Sequence, residues 1–350
     1  SYTLLQDKLS LKNLREIEKE NWKVRSLKEN SNMANRFTEA QVDTWRKEGA
    51  VVVPEFFNDK EIKDVTKDFE IIFPGRKAED KTLNKKKKGE FGNKLPLQLS
   101  GEPMGKTTMD QFKNFENIPF DCSSSLNLIA VHPSLIEFAR SALKTNDVRL
   151  YQAQAWAKFT GEADFDQAFH CDFGNHTLTV PSQDECLNAI TFIIYFTDVT
   201  EEHGPTHYVN RTDSNGFEGM RRFLKNREDI EHQKELRKFE RSAAGPAGTL
   251  LAYGIDVFHR GTNLTEPGGY RYAMTACFKK AGNDSIGYTA WPWHFTKPWN
   301  NIFEHGTPDQ LNCFGVPLPG DPFWTKETLS LAQLRYPKWN MSEYLNKIVL

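Results

Sequence analysis

A chain of 350 residues with 38% hydrophobic and 26% charged side chains has the make-up of a folded globular protein rather than a disordered one. A formal net charge of −2 argues against a surface built to coat nucleic acid, and no apolar run approaches the ~20 residues that a membrane span needs. Five cysteines, Cys122, Cys171, Cys186, Cys277 and Cys313, are odd in number and widely spaced with no Cys-x-x-Cys, which disfavours a disulfide framework or a thiolate zinc site and fits a reducing, cytoplasmic setting.

Residues 1–36 are polar and charge-mixed, with Leu4, Leu5, Leu9, Leu11, Leu14 and Ile17 at the spacing of an amphipathic helix, so they read as an N-terminal arm without an apolar leader stretch. Thr38 followed by Gln41 predicts a capped helix that ends near Gly49. Ala50-Val51-Val52-Val53-Pro54 predicts a short buried strand, and Asn58 with Glu61 caps a second helix to about Phe73. The run Lys85–Lys88 reads as an exposed loop. Pro133 after His132 opens another helix, with His132 structural.

From Arg149 the texture turns to strand. Leu150 to Phe159 alternates, and Gln152, Gln154, Trp156 and Lys158 share one face. Such polar-tipped residues on an interior face suit the wall of a polar cavity. Asn188–Phe196, Pro205–Asn210, Gly248–Tyr253 and Tyr270–Lys280 predict further strands, with a charged helical insertion over residues 216–242 that reads as solvated, or alternatively as a lid. The Trp- and Pro-rich tail, residues 291–350, ends in a short helix near Thr325–Leu334 and is expected to wrap the core of a single domain spanning 37–290. Helices followed by many short strands predict one α+β domain with a mainly β core, a barrel or double sheet.

The sharpest chemical signal is His170-Cys171-Asp172. On an extended segment a His and an Asp two apart project to the same side, and a second His downstream completes the two-histidine, one-carboxylate set typical of non-heme Fe(II) oxygenases. His259 is placed to be that ligand. Arg271 follows twelve residues later (271 − 259 = 12), across a predicted hairpin marked by Pro267-Gly268-Gly269, where its guanidinium is placed to grip a carboxylate through a bidentate fork. A buried Arg without an anion is costly.

These stretches, together with Tyr195-Phe196-Thr197-Asp198-Val199-Thr200-Glu201-Glu202-His203-Gly204-Pro205, His259-Arg260-Gly261-Thr262-Asn263 and Gly49–Pro54, resemble the phytanoyl-CoA dioxygenase-like branch of the Fe(II)/2-oxoglutarate-dependent oxygenases. The resemblance implies a double-stranded β-helix (jelly roll, cupin-like). It implies iron on His170, Asp172 and His259, 2-oxoglutarate chelating that iron with its far carboxylate on Arg271, and O2 as the second co-substrate. It implies hydroxylation, desaturation or oxidative cyclisation of a small molecule in natural-product or amino-acid-derivative metabolism, with succinate and CO2 as co-products and with no nucleic acid or membrane as partner. The alternatives are a non-catalytic jelly-roll binding module, or an acyl-CoA hydroxylase of the same family. Asp172 separates the chain from the halogenases, which lose this carboxylate, whereas Thr206–Thr212 departs from the family's usual Pro-Gly-Ser-His type of stretch.

Thr262, Thr191 and Gln154 either line the 2-oxoglutarate pocket or are satisfied interior polar groups. Trp156, Lys158, His176 and Tyr208 are candidate substrate contacts, with core packing as the plain alternative for Trp156. His203, His207, His294 and His305 read as structural or wall residues, and Cys171 is expected to point away from the iron. The oligomeric state is not legible in the sequence.

Overall fold

The computed structural model describes residues 36–73, 112–114, 122–160, 166–177, 181–182, 184–215, 230–287 and 299–348. Lys85–Lys88, His294, residues 216–229 and nearly all of the arm lie outside the described residues. The chain divides into two units, Ser1–Thr38 and Glu39–Leu350; everything below concerns the second.

The order of elements is α1 (Glu39–Glu48), β1 (Ala50–Val53), α2 (Asp59–Ile72), β2 (Phe112–Asn114), α3 (Ser124–Ile129), α4 (Pro133–Ala142), β3 (Val148–Phe159), α5 (Phe173–His176), β4 (Ala189–Tyr195), β5 (Thr206–Tyr208), α6 (Ile230–Arg237), β6 (Arg241–Ser242), β7 (Leu250–Gly254), β8 (His259–Gly261), β9 (Tyr270–Lys280), α7 (Trp299–His305), α8 (Pro308–Cys313), α9 (Lys326–Arg335) and α10 (Ser342–Leu345). Local signals explain several boundaries. Asn58 accepts from the Glu61 amide at 3.2 Å while Glu61 accepts from the Asn58 amide at 3.0 Å, which closes the capping box of α2. His132 caps α4 through Nδ1, which accepts from the Ser134 amide, and its Nε2 lies 3.0 Å from Glu61 Oε1. It is structural, as the sequence suggested.

Two antiparallel sheets face each other: six strands in the order β1-β7-β4-β9-β3-β2, and three in the order β6-β5-β8. Together they form the double-stranded β-helix. The outer face of the large sheet packs on helices, with Phe138 edge-on to Phe192 at 5.5 Å and Phe69 stacked on Tyr272 at 4.9 Å. The inner face meets the small sheet, where Ile193, Tyr195, Leu251, Tyr253 and Ala273 share one cluster with Tyr208, Ala243 and Val257. Every residue of β4 is therefore buried, which is why it reads as an unbroken apolar run.

On β3, Ala153, Ala155 and Ala157 turn outward to the helices and are fully buried, while Gln152, Gln154, Trp156 and Lys158 turn inward and are half-buried. A bulge between Leu150 and Gln152 inserts Tyr151 as an extra residue. The tail packs against the helical layer: Arg140 pairs with Asp309 at 2.6 Å, and Gln310 donates to the Val131 carbonyl at 3.2 Å. Among the described residues no helix is long and apolar enough to cross a membrane.

Candidate active site

His170 and His259 come from distant stretches but form one antiparallel pair, with His170 N donating to His259 O at 3.0 Å and His259 N donating to His170 O at 2.9 Å. In such a reciprocal pair both side chains leave the same face of the ladder, and the two imidazoles stand 4.5 Å apart between centroids. Each ring is fixed through Nδ1. His170 Nδ1 donates to the Ala168 carbonyl at 2.9 Å and His259 Nδ1 to the Val257 carbonyl at 3.0 Å. That arrangement leaves the lone pair on each Nε2.

Asp172 meets them by a different route from the one its spacing suggested. The chain does not stay extended after His170: Asp172 has helical angles, φ −78° and ψ −17°, and opens the short helix α5. Its Oδ1 lies 3.4 Å from His259 Nε2 and 3.8 Å from His170 Nε2, and all three ligand atoms fall within 4.8 Å of one another. Burial works against charge on Asp172, but His259, with help from His176 and His170, holds its carboxyl far below the usual carboxylate range. Cys171 points away, as expected, with Sγ donating to the Asp256 carbonyl at 3.2 Å. The donor set suits a divalent iron ion: two imidazole nitrogens and one carboxylate oxygen, each oriented from behind, with His259 buried and His170 and Asp172 partly so.

Arg271 lies on β9, near its start. The segment between β8 and β9 is not the hairpin that Pro267-Gly268-Gly269 predicts; β8 lies in the small sheet and β9 in the large one, so the turn carries the chain across from one sheet to the other. Arg271 still reaches the interior, 6% exposed. Its Nη1 donates to the Gly204 carbonyl, its guanidinium lies 5.8 Å from the centre of the Tyr195 ring, and its Nε meets no hydrogen-bond acceptor. No acidic side chain among the described residues pairs with it. Gly204, at φ +68°, shapes this corner, because a Cβ there would stand 2.6 Å from the Thr262 carbonyl oxygen.

Lys158 is the direct cross-strand partner of Arg271, and its Nζ donates to the Thr262 carbonyl at 3.0 Å. Burial lowers the pKa of Lys158 well below the ordinary lysine value and Arg271 adds to the effect; burial also lowers that of Arg271. Lys158 thus belongs to the basic corner rather than to a separate substrate wall.

The other candidates sort by position. Thr262 is buried and its hydroxyl donates to the Pro205 carbonyl at 2.6 Å, so its proton serves the backbone. Thr191 lies across β4 from Tyr253 and Cys277, with its hydroxyl 3.5 Å from Cys277 Sγ. Gln154 pairs with Thr275 on the inner face and Trp156 packs against the interior cluster. Tyr208 is buried opposite His259. His176 is buried with Nδ1 2.7 Å from the Tyr151 hydroxyl, and burial lowers its pKa although Asp172 pulls the other way. His203 closes its own turn against Thr200 at 2.9 Å, His207 bridges Glu201 at 2.9 Å and Glu240 at 3.0 Å, and His305 bonds its own helix at Asn301.

The insertion is not simply solvated. In α6 His232, Gln233 and Leu236 are buried, and Gln233 clasps the main chain of Phe169, accepting from its amide at 2.7 Å and donating to its carbonyl at 3.0 Å. Sequence reasoning missed Gln233, and also Tyr151 and Tyr253. The Tyr253 hydroxyl donates to Asp172 Oδ2 at 2.9 Å. Tyr253 was legible only as an inward position of an apolar strand, and the bulge that turns Tyr151 toward His176 carries no glycine or proline to announce it.

Residues 45–269 match the family model described as phytanoyl-CoA dioxygenase (PhyH). No curated protein matches the chain significantly. Among solved structures it is similar to the non-heme α-ketoglutarate-dependent epimerase SnoN from nogalamycin biosynthesis, with 14% identity, TM-score 0.48, and 74% of this chain and 87% of that chain covered. It is also similar to HygX from Streptomyces hygroscopicus with nickel and 2-oxoglutarate bound, with 14% identity, TM-score 0.47 and coverages of 70% and 88%. EctD from S. alaskensis in its apo form gives 16% identity, TM-score 0.48 and coverages of 75% and 84%.

Proposed function

Because the chain belongs to the phytanoyl-CoA dioxygenase family, we propose that it is a 2-oxoglutarate-dependent non-heme iron dioxygenase that oxidises an unactivated C–H bond of a small polar metabolite. The observation that carries this reading is the convergence of His170, Asp172 and His259 within 4.8 Å in a chain that also holds a buried, acid-free guanidinium at Arg271. The chemistry supplied by bound iron is oxidation of a substrate C–H by O2, with 2-oxoglutarate leaving as succinate and CO2.

The chain's own residues bind, orient and exclude water. His170 and His259 present Nε2 because their Nδ1 protons are committed to carbonyls. Asp172 supplies the carboxylate, with the neighbouring histidines favouring its ionised form. Arg271, with Lys158 beside it, binds the far carboxylate of 2-oxoglutarate; the incoming anion offsets the desolvation of both basic side chains and gives Arg271 Nε an acceptor. The aromatic and aliphatic wall of Ile193, Tyr195, Leu251 and Ala273 keeps bulk water from the corner. The preference for a polar substrate rests on Gln152 and Gln154, which face inward on β3, and on the buried Tyr151–His176 pair. Whether the product is hydroxylated, desaturated or cyclised is set by where the substrate carbon sits.

Anaerobic addition of Fe(II) and then 2-oxoglutarate tests the reading through the weak visible absorption of the chelate, followed in air by succinate release. The native protein develops the band; His170→Ala and Asp172→Ala lose it and lower succinate formation by more than about 100-fold, beyond the effect of changing an outer partner. A native protein that gives neither band nor succinate overturns the assignment.

A further inference from the structure

Asp172 stands at the head of α5 without the side-chain bond to its own helix that an aspartate at that position ordinarily makes. Rotation of a carboxyl group about its last bond is broad and roughly two-fold, so something outside the helix has to set which oxygen faces the histidines. The groups around it divide cleanly. Oδ1 faces His170 Nε2 at 3.8 Å and His259 Nε2 at 3.4 Å, whereas Oδ2 accepts from the Tyr253 hydroxyl at 2.9 Å.

Tyr253 is well suited to hold such a setting. It lies in the middle of the sheet on β7, paired with Ala50 of β1 on one side and Thr191 of β4 on the other. Its side chain is 3% exposed, and its ring lies 4.5 Å from the His259 imidazole. A carboxylate oxygen can only accept, so in this bond the Tyr253 hydroxyl is the donor.

We propose that Tyr253 is a positioning residue for the metal centre: its hydroxyl occupies one oxygen of Asp172 so that the carboxylate offers the metal a single oxygen. This rests on reading His170, Asp172 and His259 as the ligands. A carboxylate confined in this way takes up one coordination position and leaves room for a bidentate co-substrate and O2. Freed, it can turn its second oxygen to the metal.

The test is equilibrium titration of metal-free native protein and Tyr253→Phe with Co(II) under nitrogen, following the visible ligand-field bands. Tyr253→Phe is expected to bind Co(II) about 10- to 100-fold more weakly and to show a changed band pattern, while thermal unfolding of the metal-free protein stays close to native. Equal affinity together with an unchanged spectrum overturns the proposal. A native protein that binds no Co(II) overturns the ligand assignment and this inference with it, so the two failures are distinguishable. Should Tyr253→Phe fail to fold, 4-aminophenylalanine and 4-methylphenylalanine placed at 253 give two side chains of like size. Only the amine restores a donor, and native-like Co(II) binding by the amine but not the methyl variant supports the role, whereas equal binding by both refutes it.

Discussion

The His170–Asp172–His259 cluster and the Arg271–Lys158 corner are built on opposite plans. Around His170, Asp172 and His259 each ligand group is tied from behind, by the Ala168 carbonyl, the Tyr253 hydroxyl and the Val257 carbonyl respectively. Around Arg271 and Lys158 two basic side chains face each other across a strand pair with backbone carbonyls as their contacts and one guanidinium nitrogen unmet. In the first arrangement each group already has a hydrogen-bond partner that fixes its orientation. The second is completed by the ligand, whose carboxylate supplies the charge and the acceptors. The first cluster is thus held by its own partners, and the second keeps an unmet donor at Arg271 Nε.

Arg271→Met tests that contrast hardest. Losing the anchor weakens 2-oxoglutarate binding by about 100-fold or more, as for one partner removed from a buried ion pair, measured by titrating the chelate absorption. The same variant raises the stability of the ligand-free protein by about 1–3 kcal/mol in urea unfolding, because an uncompensated buried charge is gone. A ligand-free variant less stable than native breaks the comparison. Gln233→Ala probes the first cluster from outside. It leaves the Phe169 amide and carbonyl without their partner, lowers stability by about 2–4 kcal/mol and weakens metal binding through the adjoining His170; an unchanged unfolding curve would return α6 to a solvated accessory.

The smallest effect concerns the rim. Burial opposes the charge of His207, but its bonds to Glu240 and Glu201 win and raise its pKa. Burial likewise acts against charge on Glu240, and its bond to His207 together with Arg260 brings its pKa down to about 2. The stabilisation from His207 is therefore full below the ordinary histidine pKa and fades as pH climbs through the raised one. His207→Gln flattens stability across that window by less than about 1 kcal/mol, read as urea midpoints at successive pH values. The two clusters keep their behaviour in this variant.

What the sequence disclosed follows from what local chemistry can encode. The gathering of His170, Asp172 and His259 and the burial of Arg271 were legible because few structural reasons bring two histidines, an aspartate and an arginine into one β-rich half. The inward face of β3 was legible because Gln152, Gln154, Trp156 and Lys158 alternate with alanines. The path of the chain was less so. Pro267-Gly268-Gly269 marks a turn equally well whether the chain folds back on one sheet or crosses to another, and the difference is decided by the packing of both sheets. Asp172 leaves extended geometry although His170 two residues before it is paired, and the next amide, that of Phe173, bonds to the distant Ile255 carbonyl. The Tyr151 bulge and the grip of Gln233 on Phe169 are long-range events in an otherwise ordinary strand and a charged helix.

The reciprocal bonds between His170 and His259 have a bearing on turnover of the ion itself. Because main-chain hydrogen bonds hold the two histidine backbones against each other, removal of an ion bound by them would leave that pairing in place. Reloading would then bring together two side chains already carried on one paired segment rather than on separate loops.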